Sequence, residues 1–148
     1  MDIYDYLKKD HEKVDNLFKQ FEQTESLDYK KDLVEMIILE LTVHSISEEE
    51  TFYKLLRKSE KSKEEAEHGQ EEHEEIQALM AKIKKIKTFN KAWEKQVLEL
   101  KDLVHHHVKD EEGPMFRKAK KVLSEDEAYM IKEKMHSYKG DMLIELEK

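Results

Sequence analysis

The stretch HSISEEETFYKLL, residues 44–56, has a counterpart in HVKDEEGPMFRKA, residues 107–119. Each holds a His, a Glu four residues later, a second acid directly after it, and then apolar residues. On an α-helix, positions four apart lie one above the other on the same face. Each copy therefore aims an imidazole and a carboxylate at one spot, the arrangement a metal ion requires.

The surrounding residues are those of helices. Apolar residues at Tyr4, Leu7, Val14, Phe18 and Phe21 recur at a 3-4 spacing, with His11 filling a slot of the stripe, and predict a helix over about 2–24. A polar break at Thr24–Asp28 precedes a second helix, about 28–58, whose stripe is Val34, Ile37, Leu41, His44, Glu48, Phe52 and Leu55. Ser62 with Glu65 has the form of a capping box. It opens a third helix with Ala66, Gly69, His73, Ile76, Met80 and Ile83 on one face. After a turn at Thr88–Asn90, a fourth helix carries Trp93, Val97, Leu100, Val104, His107, Glu111 and Met115, with Pro114 expected to bend it. Ser124 with Glu127 is a second capping box, opening a helix to about residue 146 in which Gly140 is a possible interruption. Three glycines, one proline and 42% charged residues, mostly Lys and Glu, agree with an all-α chain.

The halves repeat. His11 and His73 are 62 residues apart, while His44 and His107, and Glu48 and Glu111, are each separated by 63. Two similar hairpins predict an up-down-up-down four-helix bundle over about 2–120, with an additional C-terminal helix over about 124–146, all in one domain of residues 1–148. Counting back from the turns at about 1.5 Å per residue puts the four histidines at one depth. A lone inward His is ordinarily a satisfied core residue. Glu48 and Glu111 are harder to explain that way, because an unpaired buried carboxylate costs several kcal/mol. A metal cation answers both at once.

The expected metal ligands are His11, His44, Glu48, His73, His107 and Glu111. Six ligands of mixed nitrogen and oxygen type suit two ions with bridging carboxylates. An oxo or hydroxo bridge between two Fe ions completes five bonds at each and leaves a position for a small exogenous ligand. His105 and His106 adjoin a ligand but share its helix face at most one at a time, so they are expected at the surface, as are His68 and His136. Glu49 and Glu112 are candidates to hold a neighbouring imidazole, with a solvated face as the equal alternative. The aromatic residues are expected in the core, with Tyr53 also a candidate to reach a bound ligand.

These residues resemble the hemerythrin-like family of cation-binding domains, whose signature H…HxxxE…H…HxxxE is matched by His11, His44 with Glu48, His73, and His107 with Glu111 across about residues 3–120. The resemblance implies a non-haem di-iron centre that binds O₂, NO or peroxide. The chain departs from the oxygen-carrying hemerythrins at Gln77, where those have a second His on the third helix, and at Glu111, where they have an Asp five residues after its His. The carboxylate-richer set is similar to the C-terminal domain of di-iron proteins linked to repair of iron–sulfur clusters. The small cysteine-containing domain of those proteins is missing here. The expected role is oxygen sensing or a response to nitrosative or oxidative stress. An enzyme reducing NO or decomposing peroxide, and an iron donor or storage module, are the alternatives.

Composition excludes other classes. A net charge of −8 with scattered lysines opposes nucleic-acid binding. No run of about 18 apolar residues offers a membrane span. Without cysteine there is no disulfide and no thiolate-bound cluster. The N-terminus has no apolar signal core, and the cytoplasm is the expected compartment.

Overall fold

A computed structural model describes residues 1–147, and among these every regular element is helical. Helix α1 is Ile3–Gln23, and α2 spans 27–56 as α-helical Leu27–Glu48, a π-helical turn Glu49–Tyr53, and Lys54–Leu56. Helix α3 is Lys63–Lys84. Helix α4 spans 91–122 as Lys91–Asp110, a second π-helical turn Glu111–Met115, and Phe116–Val122; α5 is Glu125–Glu147.

Local chemistry sets most of the ends. The side chains of Asp2, Ser26 and Asn90 accept from the backbone N–H three residues on, which satisfies donors left open at a helix start. The capping box at the start of α5 is formed, since Ser124 N–H donates to Glu127 and Glu127 N–H donates to Ser124 Oγ. The one expected at Ser62 is not. That hydroxyl is buried and donates instead to the Leu56 carbonyl at 2.7 Å, closing the turn after α2. Gly140 lies within unbroken α5.

Contacts between neighbours run in opposite order along the chain. Gln20 meets Tyr29, Lys13 meets Glu40 and Asp10 meets His44 between α1 and α2. Glu65 meets Lys118 and His73 meets His107 between α3 and α4. Two apolar clusters fill the interior of this helical bundle. One holds Phe18, Phe21, Ile37, Leu41, Ile76, Trp93, Leu100 and Val104. The other holds Leu7, Phe52, Tyr53, Leu56, Ala66, Met115 and Phe116, and α5 adds Ala128, Ile131 and Met135 to it. Helix α5 thus lies along α1 and α2, with the apolar side chains of its first half on the second cluster. Between the clusters, each of α1–α4 carries polar residues on its inward face. No helix of the described residues is long and apolar enough to cross a membrane.

The π-helical turns shift the inward stripe. In an unbroken α-helix Tyr53 would lie about 140° round the axis from Glu48. The wider turn brings it back, so Phe52, Tyr53 and Leu56 are buried while Leu55, expected on the stripe, is half-buried. The turn in α4 contains Pro114, but its counterpart in α2 has no proline. The bulge therefore belongs to the repeated His-Glu-Glu stretch and not to the proline.

Gly69 is where α3 lets this apparatus in. A Cβ there would stand 2.7 Å from the Tyr53 hydroxyl and 2.7 Å from Met115 Cε. Gly69→Ala is expected to destabilise the fold by about 1–3 kcal/mol through overpacking. Gly140→Ala, on an exposed helical site with nothing within 4 Å, should stabilise it by roughly 0.5–1 kcal/mol. Urea denaturation of the two variants measures both.

Candidate metal centre

All six expected ligands converge between the two apolar clusters. Glu48 and Glu111 are 0% exposed and His73 is 1% exposed. Nε2 of His11 lies 3.3 Å from Glu111 Oε1, and Nε2 of His107 lies 3.1 Å from Glu111 Oε2. Nε2 of His44 and of His73 lie 3.5 and 3.3 Å from Glu48 Oε1. Nε2 atoms of His73 and His107 are 3.0 Å apart. Two sets emerge whose ligand atoms are mutually within 4.8 Å: Glu48, His73, His107 and Glu111, and His11, His44 and Glu111. Glu111 belongs to both.

The opposite edge of every imidazole is held from outside. His44 Nδ1 meets Asp10 at 3.0 Å, and His73 Nδ1 meets Glu49 at 2.7 Å. His107 Nδ1 meets Glu72 at 2.9 Å, and His11 Nδ1 meets Glu112 at 2.6 Å. Each helix of the bundle thus gives one carboxylate to the imidazole of the next: α1 to α2, α2 to α3, α3 to α4, and α4 back to α1. A carboxylate on Nδ1 fixes the ring's orientation and turns Nε2 inward as a lone-pair donor. For Glu49 and Glu112 the contact to an imidazole is one of the two readings the sequence leaves open. Asp10 and Glu72 were not anticipated, although each directly precedes a ligand His and they share its 62-residue offset.

Tyr53 adds a hydroxyl to the interior. It donates to Glu111 Oε2 at 2.5 Å and lies 3.3 Å from His107 Nε2, while its ring stacks on His73 at 5.1 Å between centroids. Expected in the core, with reach to a bound ligand as the second reading, it is both fully buried and turned to the site by the π-helical turn.

The electrostatics call for positive charge. Burial opposes a charge on His44, but Glu48 and Asp10 outweigh it and lift its pKa to about 10. His107, likewise buried, is lifted to about 10 by Glu111 and Glu72. Burial would raise Glu111, yet His107 and His11 hold it well below the usual carboxylate range. Burial, then Glu111 and Glu48, push Tyr53 well above 10, so its hydroxyl keeps its proton. Even so, both Glu48 oxygens, Glu111 Oε1 and the Nε2 atoms of His11 and His44 are buried without a hydrogen-bond partner. Orphaned acceptors of this kind are costly in a core and are ordinary at a cation site. The residues fit a metal centre, and the imidazole and carboxylate donors suit first-row transition ions.

The other histidines point outward. His105 meets Asp15 at 2.8 Å, His136 meets the Tyr6 hydroxyl at 3.0 Å, and His68 and His106 face Glu72 and Asp110. Gln77 is half-buried.

No curated protein and no solved structure matches the chain. The family model described as the hemerythrin HHE cation binding domain matches residues 2–119. With a buried His/Glu cluster at the heart of that span, the chain belongs to the hemerythrin HHE cation-binding family.

Proposed function

We propose that the chain is a non-haem di-iron protein that binds a small ligand, O₂, NO or peroxide, in oxygen sensing or in the response to nitrosative or oxidative stress. The observation that carries this reading is the set of inward, buried and unpartnered His and Glu atoms, with Glu111 common to both halves. His11 and His44 would hold one ion, and His73, His107 and Glu48 the other, with Glu111 reaching both. The whole chain is read as one domain, an up-down-up-down bundle with α5 as an additional C-terminal helix, and with its ligand set nearer the carboxylate-rich kind than the oxygen carriers. The cytoplasm is the compartment proposed, with no nucleic-acid or membrane partner.

The iron pair, when bound, supplies ligand binding and electron transfer. The protein's own contributions are separate. The ring of outer carboxylates orients the four imidazoles and raises their basicity. The apolar clusters on either side keep bulk water from the layer. The Tyr53 hydroxyl, holding its proton beside Glu111, is a hydrogen-bond donor for a bound ligand. The same hydrogen bond to a bound ligand also serves a second reading, reduction of NO or peroxide, by orienting the ligand in the pocket.

The purified protein is expected to contain about two iron ions per chain and to show near-UV absorption of an oxo-bridged diferric centre when oxidised. His44→Ala and Glu111→Ala should each lose metal, whereas His136→Ala should retain it; elemental analysis decides. Zinc alone, or no metal after growth with iron, overturns the proposal. Asp10→Asn should weaken iron binding about 10–100-fold, the usual effect of removing a carboxylate behind a ligand imidazole.

Stopped-flow mixing of the reduced protein with O₂, NO and peroxide separates the two readings. A long-lived adduct without turnover is the expected result, and Tyr53→Phe should keep the iron but shorten the life of that adduct tenfold or more. Continuous consumption of NO or peroxide establishes the enzyme instead.

A further inference from the structure

The motif that builds the interior recurs on the outer surface of α3 and α4. His68 and Glu72 are four residues apart on α3, and His106 and Asp110 four apart on α4. Where the two helices meet, these four side chains face one another. His68 Nε2 lies 3.4 Å from Glu72 Oε2 and 3.3 Å from Asp110 Oδ2. His106 Nε2 lies 3.4 and 3.3 Å from the same two oxygens. Ligand atoms of His68, Glu72 and Asp110 lie mutually within 4.8 Å, a group that does not include His106.

We infer that His68, Glu72 and Asp110, with His106 beside the same two carboxylates, form a separate exterior site for a divalent first-row cation of the zinc class. Three observations support it. The separations are longer than the 2.6–3.0 Å contacts that the inner imidazoles make to their outer carboxylates. For His68 with Glu72 and Asp110 they match instead the edge of a tetrahedron with metal bonds of about 2.0–2.1 Å, which is about 3.3–3.4 Å. The two carboxylates carry charge for a divalent ion, and an imidazole with two carboxylates is a donor set such ions take. Glu72 is also unlike a solvated surface acid. Its side chain is only 9% exposed, against 57% for His68 and 67% for His106, and its Oε2 is aimed at both imidazoles.

Access and connection follow from position. A surface cleft of about 310 Å³ lined by Glu64, Glu65, His68, Asp110 and Met115 opens beside the site and adds acidic side chains to its mouth. Glu72 joins the exterior to the interior, since its other oxygen, Oε1, accepts from His107 Nδ1 at 2.9 Å. A cation bound outside therefore shares a ligand residue with the imidazole that faces the buried centre.

Calorimetric titration of the purified protein with zinc, with interior metal measured before and after, tests the site. The wild type is expected to take one zinc per chain beyond its interior metal, with that metal retained. The His68→Ala/His106→Ala double variant, which changes two exposed side chains and no interior ligand, should keep the interior metal and bind the added zinc at least tenfold more weakly. No added equivalent in the wild type, equal binding by the double variant, or zinc uptake only as interior metal leaves would each overturn the inference. Interior metal content is read in the same samples, so failure of the exterior site is distinguished from failure of the buried one.

Discussion

Two carboxylates with no access to water, Glu48 and Glu111, set the terms for the whole molecule. A bundle this size has a modest core, and burying two acids at its centre works against folding unless positive charge accompanies them. Four imidazoles surround the acids, and two of them have their pKa lifted to about 10, so protons answer the charge when no metal does. Either a proton or a cation occupies the space between the donors, and the apolar clusters on both sides make that space the polar layer of the core.

The ring of outer carboxylates turns this constraint into a precise site. Asp10, Glu49, Glu72 and Glu112 each pass from one helix to the imidazole of the next, tying four helices together at one level. These contacts orient the rings, and they also fix how the helices are rotated against one another, since a rotated helix would lose both its inward ligand and its outward partner. The π-helical turns Glu49–Tyr53 and Glu111–Met115 complete the arrangement. The turn in α2 brings Tyr53 onto Glu111, and Gly69 on α3 leaves room for its hydroxyl. Function and packing thus meet in one layer, and the hemerythrin HHE family is the setting in which both make sense.

Much was legible in the chain because helices report their faces through spacing. The stripes at intervals of three and four, the 62- and 63-residue repeats and the acids on apolar stripes located the helices and brought six residues to one depth. Asp10 and Glu72 carried the same repeat offset and were legible in principle. They lie one position off the inward stripe, however, where a charged residue reads as solvated.

The sequence by itself determined the helices, their inward faces and the level at which His11, His44, Glu48, His73, His107 and Glu111 meet, because those follow from the pitch of a helix and the length of its turns. Only the tertiary structure decided which carboxylate holds which imidazole, that Ser62 closes a turn instead of capping a helix, that Tyr53 enters the site, and that His68 and His106 share two acids outside it. Each of these depends on the rotation of one helix against another or on a local change of pitch. A periodic pattern within one segment carries no record of either.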